Sequence, residues 1–235
     1  MKFVFALSIF ILVEISNIKF VSAFDSKGIQ QFLNERESLW PNWTLPSSNF
    51  SDIHKDLIYP DWFEGNWIVD SEAMDDQNQP NVTYKVSFIK NEAGEIIGNR
   101  SKNAESIGKA IFGGNLKRIK NDPKSFNNQV TYFANDEYLE SRVTLRKQVF
   151  DTDQFWADEF AIQTFHKPDA SRINQVEVMS KFYQCKQDRV NFQEKNESNI
   201  CGYQYVASFG SKVGNKNQNA ISSKKYKLTF KPIQD

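Results

Sequence analysis

Alternation of apolar and polar residues with a period of two is the feature that most constrains the fold of this chain. In residues 82–88, Val, Tyr, Val and Phe alternate with Thr, Lys and Ser, which is typical of a strand with one buried face. Similar segments continue to the C-terminus, separated by turns rich in Asn, Asp, Pro and Gly. The other predicted strands are one that opens with Gly65-Asn66-Trp67 and residues 95–102, 116–120, 129–133, 138–150, 155–166, 172–185, 202–209 and 224–231.

The number of strands and the short turns between them predict an all-β, mainly antiparallel fold. A closed up-and-down barrel is favoured, because closure removes exposed strand edges. Two short helices are expected, at residues 26–39 and 103–112, and Gly113-Gly114 ends the second. The length of 235 residues suits one domain, which we place at residues 59–235 after a helix and irregular lead-in at 24–58.

Residues 1–23 have the anatomy of a secretory signal peptide. Lys2 precedes an apolar run at residues 3–13, and Val21-Ser22-Ala23 supplies small residues at the cleavage site. The run is shorter than the roughly 20 residues of a spanning helix, so we predict no transmembrane segment in the mature chain.

Phe24 directly follows the predicted cleavage site. The sequence Val-Ser-Ala-Phe resembles the junction of signal and transit peptides in algae whose plastids are reached through the secretory system. It predicts a plastid protein of the thylakoid lumen or stroma, with secretion as the alternative. The acidic residues that follow depart from a usual transit peptide; they are Asp25, Glu35 and Glu37.

Composition excludes several functional classes. Lys and Arg total 29 and Asp and Glu total 29, so the chain lacks the basic excess expected of a nucleic-acid-binding protein. With 2 His and 2 Cys, most metal sites built on these residues are excluded, and no metal ligand is assigned. Phosphate-loop, dinucleotide-binding, zinc-protease and nucleophile-elbow motifs do not occur, so no catalytic residue or cofactor is assigned either.

Charged residues interrupt the apolar faces of the long central strands. Arg142 and Arg146 fall on one side of a regular strand. In the next strand, Glu159 and Asp158 point to opposite faces. Glu177 precedes Tyr183 at an even spacing. These charges are either solvated on the outer face or form a polar cluster in a cavity, where a buried glutamate requires a cation such as arginine.

Cys185 and Cys201 flank a polar segment and are either bridged or two reduced thiols. A lumenal or secreted setting permits a disulfide, which would stabilise the fold by roughly 3 kcal/mol. Glycosylation sequons, relevant only to a protein that stays in the secretory route, occur at Asn42, Asn49, Asn81, Asn99 and Asn196.

Gly65-Asn66-Trp67 resembles the first-strand signature of lipocalins and calycins, in which the tryptophan closes one end of a barrel. An ordinary core tryptophan is the alternative, since the last strand offers lysines where that signature expects an arginine.

The chain contains an ordered set of short fragments. They are Ile58-Tyr59-Pro60-Asp61-Trp62-Phe63-Glu64-Gly65-Asn66-Trp67, Gly98-Asn99-Arg100 with Asn103, Ser106-Ile107-Gly108-Lys109-Ala110, Tyr138-Leu139-Glu140, Ala157-Asp158-Glu159, Gln175-Val176-Glu177 and Ile200-Cys201. This set resembles domain of unknown function 6816, an uncharacterised family of cyanobacteria and plastids. The resemblance implies a plastid or thylakoid setting and a barrel-like fold, and it supplies no activity. The predicted cavity residues are Trp67, Arg100, Arg142, Glu159, Glu177 and Tyr183.

The leading functional hypothesis is a non-enzymatic barrel that binds a hydrophobic or tetrapyrrole-like small molecule, as a carrier or assembly factor. It rests on the barrel pattern and on 20 Phe, 8 Tyr and 5 Trp. One alternative is a chromophore lyase or isomerase with Glu159 or Glu177 as proton donor. The other is a structural partner of a thylakoid protein complex.

Overall fold

The computed structural model describes residues 23–46, 55–76, 78–185, 199–211 and 218–233. The predicted signal peptide therefore lies outside the described residues, except for its last residue. The helices are α1 (Ala23–Ser38) and α2 (Arg100–Phe112), close to the two predicted ones. The strands are β1 (Gly65–Ala73), β2 (Val82–Lys90), β3 (Ile96–Gly98), β4 (Leu116–Asp122), β5 (Ser125–Phe133), β6 (Tyr138–Phe150), β7 (Gln154–His166), β8 (Ser171–Gln184), β9 (Ile200–Phe209) and β10 (Ser222–Pro232).

All ten strands belong to one antiparallel sheet. Strands β4 to β10 are hydrogen-bonded in chain order, and β10 then pairs with β1, where Val69 lies opposite Phe230. The hairpin of β1 and β2, followed by β3, completes the order β3-β2-β1-β10-β9-β8-β7-β6-β5-β4. The prediction of an all-β, antiparallel, barrel-like fold is confirmed. In the described residues the sheet curls without pairing its two end strands, β3 and β4.

Helix α2 occupies the gap between the two ends of the sheet. The Asn103 amide accepts from the Ser87 backbone N–H at 2.8 Å and donates to the Ser87 carbonyl at 3.0 Å. The Ser106 hydroxyl accepts from the Lys85 N–H at 2.9 Å. On the side facing β4, a Cβ at Gly108 would stand 2.8 Å from Ile119, so glycine permits this close approach. Side chains of α2 thus form hydrogen bonds with backbone groups of β2. In a closed barrel, a neighbouring strand pairs with such groups.

The prediction of a strand over residues 95–102 is wrong in its second half. Strand β3 ends at Gly98, because Asn99 is the N-cap of α2 and its side chain accepts from the Lys102 N–H.

Each central strand contributes to two cores, because alternate residues point to opposite faces of the sheet. The inner face carries an aromatic core, and the outer face carries a second core beneath α1 and the segment that follows it. Buried residues of the inner core include Phe63, Trp67, Val69, Phe88, Phe155, Phe182 and Phe230. Those of the outer core include Leu33, Trp43, Leu145, Trp156, Phe160, Met179, Tyr205 and Phe209.

A disulfide joins Cys185, which follows β8, to Cys201 in β9, so the predicted bridge is confirmed. It ties together the two ends of the segment 186–198, which lies outside the described residues. Within the described part of the chain, no helix is long and apolar enough to cross a membrane.

Candidate functional site

A cavity of about 450 Å³ lies between the inner face of the sheet, helix α2 and the segment that precedes β1. Its wall combines aromatic and aliphatic side chains with a small number of charged and amide groups. The apolar lining includes Tyr59, Phe63, Tyr84, Val86, Phe88, Ile107, Phe126, Val143, Phe155, Val178, Phe182, Leu228 and Phe230. The polar lining includes Asp56, Arg100, Asn103, Asn127, Gln129, Ser141, Arg146, Glu159, Ser180 and Gln204.

Tyr59 connects the aromatic and the polar parts of the wall. Its ring packs against Phe88 and Phe155, with centroid separations of 4.7 and 4.8 Å. Burial, reinforced by the nearby carboxylates of Glu159 and Asp56, raises the pKa of the Tyr59 hydroxyl, which therefore stays neutral.

Arg146 and Glu159 form an ion pair on the cavity wall. Nε and Nη2 of Arg146 lie 2.7 and 2.6 Å from Oε1 of Glu159, and Nη1 donates to the Lys55 carbonyl at 2.5 Å. The arginine side chain is 5% exposed and the glutamate 29%. A buried guanidinium needs such partners, and the pair meets this need while leaving the carboxylate in contact with the cavity.

Arg100, the first residue of α2, extends toward the same part of the cavity. Its guanidinium donates to the Phe126 carbonyl, and the Phe126 ring lies near both Arg100 and Arg146. The Arg100 and Arg146 Cζ atoms lie 5.9 and 5.4 Å from that ring. Partial burial lowers the pKa of Arg100, while Asp56 and Glu159 act in the opposite direction. The side chain remains a cation, because arginine titrates far above neutral pH.

The structure brings two of the six predicted cavity residues, Arg100 and Glu159, to the cavity wall. Trp67 belongs to the inner core but lies behind the wall. Its Nε1 donates to the Phe63 carbonyl at 2.8 Å, and its ring centroid is 6.5 Å from that of Phe230.

Arg142, Glu177 and Tyr183 do not line the cavity. A β-bulge between Val143 and Leu145 shifts the register of β6, so Arg142 pairs with Ile162 while Arg146 pairs with Glu159. The extra residue reverses the alternation, and Arg142 is exposed on the outer face. Glu177 and Tyr183 occupy positions of β8 that also point outward, toward the outer core.

Glu177 belongs to a buried polar cluster under α1, which we call the outer cluster: Arg36, Lys147, Asp158 and Glu177. Nε of Arg36 donates to Oε1 of Glu177 at 2.9 Å, and its Nη2 pairs with the other carboxylate oxygen. Both oxygens of Asp158 are buried and accept no hydrogen bond from the described residues.

Burial next to Glu177 raises the pKa of Asp158 well above its usual range, although Arg36 and Lys147 act against it. Burial likewise raises the pKa of Glu177 to about 7, despite Arg36. Desolvation therefore outweighs the cations, and the outer cluster retains protons that carboxyl groups in water release.

Several cavity residues had no signal in the sequence. Asp56 lies in the predicted irregular lead-in and Phe126 precedes the predicted strand 129–133, so periodicity places neither on the cavity wall. Tyr59 belongs to a fragment that resembles the family, but the resemblance did not assign it to a cavity. Arg36 had no signal either, since it lies 141 residues before Glu177. Within the described residues, no cluster of three or more His, Cys, Asp or Glu side chains is arranged to hold a metal ion.

Residues 53–234 match the family model described as domain of unknown function (DUF6816). The chain belongs to the DUF6816 family. The family region contains every residue that lines the cavity, whereas α1 precedes it. No curated protein and no solved structure matches the chain.

The sequons fall in different settings. Asn42 and Asn81 are exposed, whereas the Asn99 side chain is occupied as the N-cap of α2. Asn49 and Asn196 lie outside the described residues.

Proposed function

We propose that this DUF6816 protein is a non-enzymatic carrier or assembly factor that binds one hydrophobic small molecule inside its curled sheet, in the plastid. The observation that supports the proposal is the cavity of about 450 Å³, largely apolar and with few charged groups. Small-molecule sites are typically concave, mostly apolar and about 300–1,000 Å³ in volume, with a few polar groups that orient the ligand.

The aromatic wall favours a planar, conjugated ligand. Tyr59, Phe63, Phe88 and Phe155 pack with centroid separations of 4.7 to 5.7 Å and present edges and faces at several angles. Such walls suit rings, because offset and edge-to-face contacts between aromatic groups are favourable. A tetrapyrrole-like pigment or another conjugated lipid is the ligand class that we propose.

The geometry gives less support to an enzyme that uses Glu159 or Glu177 as proton donor. Oε1 of Glu159 already accepts hydrogen bonds from two nitrogens of Arg146, so the carboxylate is engaged by the arginine. Glu177 faces the outer core and cannot reach a molecule in the cavity. A concave cavity with an aromatic wall also supports ligand binding more directly than a purely structural partnership.

Copurified ligands test the proposal directly. The protein is purified under native conditions from a plastid-containing host, denatured and extracted, and the extract is analysed by absorbance and mass spectrometry. We expect one hydrophobic compound in stoichiometric amount. An extract without such a compound, together with no binding of added pigments or lipids, would contradict the proposal.

The proposed plastid location has its own test. The full chain with a C-terminal fluorescent protein is expressed in an alga whose plastids are reached through the secretory system. We expect fluorescence within the plastid; accumulation in the medium would instead support secretion.

A further inference from the structure

The Arg100 guanidinium is the cavity cation whose partners are incomplete. Arginine carries five N–H donors. For Arg146, Glu159 and the Lys55 carbonyl provide acceptors. For Arg100, the Phe126 carbonyl is its acceptor among the described residues, and no carboxylate there lies within ion-pair distance.

We propose that the ligand carries a carboxylate, and that Arg100 binds this group while the aromatic wall holds the apolar part. The inference rests on the proposed function and specifies its ligand class. A carboxylate matches the planar, forked donors of a guanidinium with two parallel hydrogen bonds. A half-buried arginine beside an apolar wall gains most from such a partner, because few waters compete for its donors.

The net charge of the cavity determines whether a ligand carboxylate is attracted over a distance or only by direct contact with Arg100. Arg100, Arg146, Asp56 and Glu159 line the cavity and their formal charges sum to zero. The Glu159 charge is offset by Arg146, whereas the Asp56 carboxylate accepts from the Leu57 N–H at 2.9 Å. Recognition of an acid therefore depends on direct contact with Arg100 rather than on a positive field. Accordingly, salt should weaken binding only slightly.

A matched pair of fluorescent probes tests the inference. Pyrenebutyrate and pyrenebutanol share one aromatic group and differ in the carboxylate. Both are titrated into the full mature chain after removal of bound material, and fluorescence gives each dissociation constant. We expect the wild-type protein to bind the acid about tenfold more tightly than the alcohol, the effect of one charge-assisted contact.

The variant Arg100→Gln should lose this preference by weakening the acid and leaving the alcohol unchanged. Arg142→Gln is the matched control, because this arginine is exposed on the outer face, and it should retain the preference. Arg100→Lys keeps the charge without the fork and should show an intermediate preference.

The outcomes separate the two proposals. If wild type binds both probes equally, or if Arg100→Gln retains the wild-type preference, the inference is overturned and the cavity remains a ligand site. If neither probe binds wild type, the inference is overturned, and the copurification experiment decides the proposed function separately. A variant that fails to fold does not decide the matter, because the preference of the wild-type protein is measured without it.

Discussion

The inner and outer faces of the sheet each hold an arginine–glutamate pair, and the two pairs differ in what covers them. On the inner face Arg146 and Glu159 come from neighbouring strands, and the glutamate is 29% exposed to the cavity. On the outer face Arg36 of α1 reaches Glu177, whose side chain is fully buried. The same type of ion pair thus occurs once beside the cavity and once buried beneath α1.

This difference indicates different roles for the two pairs. The inner pair lines the cavity, so it can form hydrogen bonds with a ligand. The outer pair is buried beneath α1, and it connects α1 to β8 together with the Lys181–Glu37 ion pair at 2.9 Å. Removing one member of a fully buried pair leaves the other charge stranded, which costs more than the pair itself contributes.

The largest expected effect comes from breaking the outer pair. At pH 8, above the pKa of about 7 at which Glu177 ionises, Arg36→Ala should lower the free energy of unfolding by about 3–5 kcal/mol, because the glutamate remains buried without its cation. Urea denaturation gives the value. Arg142→Ala, on the exposed part of the outer face, is the control and should change stability by no more than about 0.5 kcal/mol. A loss for Arg36→Ala no larger than for this control would contradict the comparison.

The disulfide should contribute nearly as much without involving either pair. Replacing both Cys185 and Cys201 with serine should cost about 3 kcal/mol, since the bridge restricts the unfolded chain over a separation of 16 residues. Wild-type protein denatured in the presence of a reductant should show the same midpoint as the double variant. Equal stability of the oxidised wild type and the double variant would be inconsistent with this prediction.

The pH dependence of stability separates the faces further. The folded state holds the protons of Asp158 and Glu177 more tightly than the unfolded state, so stability must fall as pH rises from about 4.5 to about 7. We expect a loss of at least about 2 kcal/mol between pH 5 and pH 8 in denaturant titrations, because Glu177 alone accounts for this amount at about 1.4 kcal/mol per pKa unit and Asp158 adds to it.

Asp158→Asn is the variant that sharpens this prediction. The amide has no proton to lose, so the slope of stability against pH should decrease, while stability at pH 5 should change little. Stability that increases from pH 5 to pH 8 in the wild type would contradict the assignment of raised pKa values to the outer cluster.

The smallest effect is expected where α2 covers the edge of β2. Asn103→Ala removes one acceptor and one donor for the Ser87 backbone and should cost about 1–2 kcal/mol. Thermal denaturation should show a midpoint lower by a few degrees. Lys102→Ala, at an exposed neighbouring position, is the control. Identical midpoints for the two variants would mean that these two hydrogen bonds contribute nothing to stability.

Local periodicity was sufficient to predict much of the fold. The alternation in β2 predicted a strand there with one buried face. The segments of β7 and β8 were predicted as strands too, and in the structure they bury side chains on both faces. The order of the sheet was not predictable, since the pairing of β1 with β10 joins segments more than 150 residues apart. Nor was the position of α2, which depends on which two strand edges remain unpaired.

The candidate site was less predictable, for two physical reasons. The bulge at Thr144 inserts one residue, and a single insertion moves Arg142 to the face opposite Arg146. We predicted that Glu177, if buried, pairs with an arginine. Its position on β8 does not show that the arginine is Arg36 of α1. Alternation assigns residues to faces and does not say which face encloses a space.

Filling the cavity with a larger side chain shows whether the inner face, rather than the outer face, holds the ligand. Ala157 lines the cavity, so Ala157→Phe should occupy it, whereas Ala110→Phe adds the same group to an exposed position of α2. Pyrenebutanol fluorescence is titrated against wild type and both folded variants. We expect Ala157→Phe alone to weaken binding, by at least about tenfold; equal affinity in all three proteins would mean that the probe binds elsewhere.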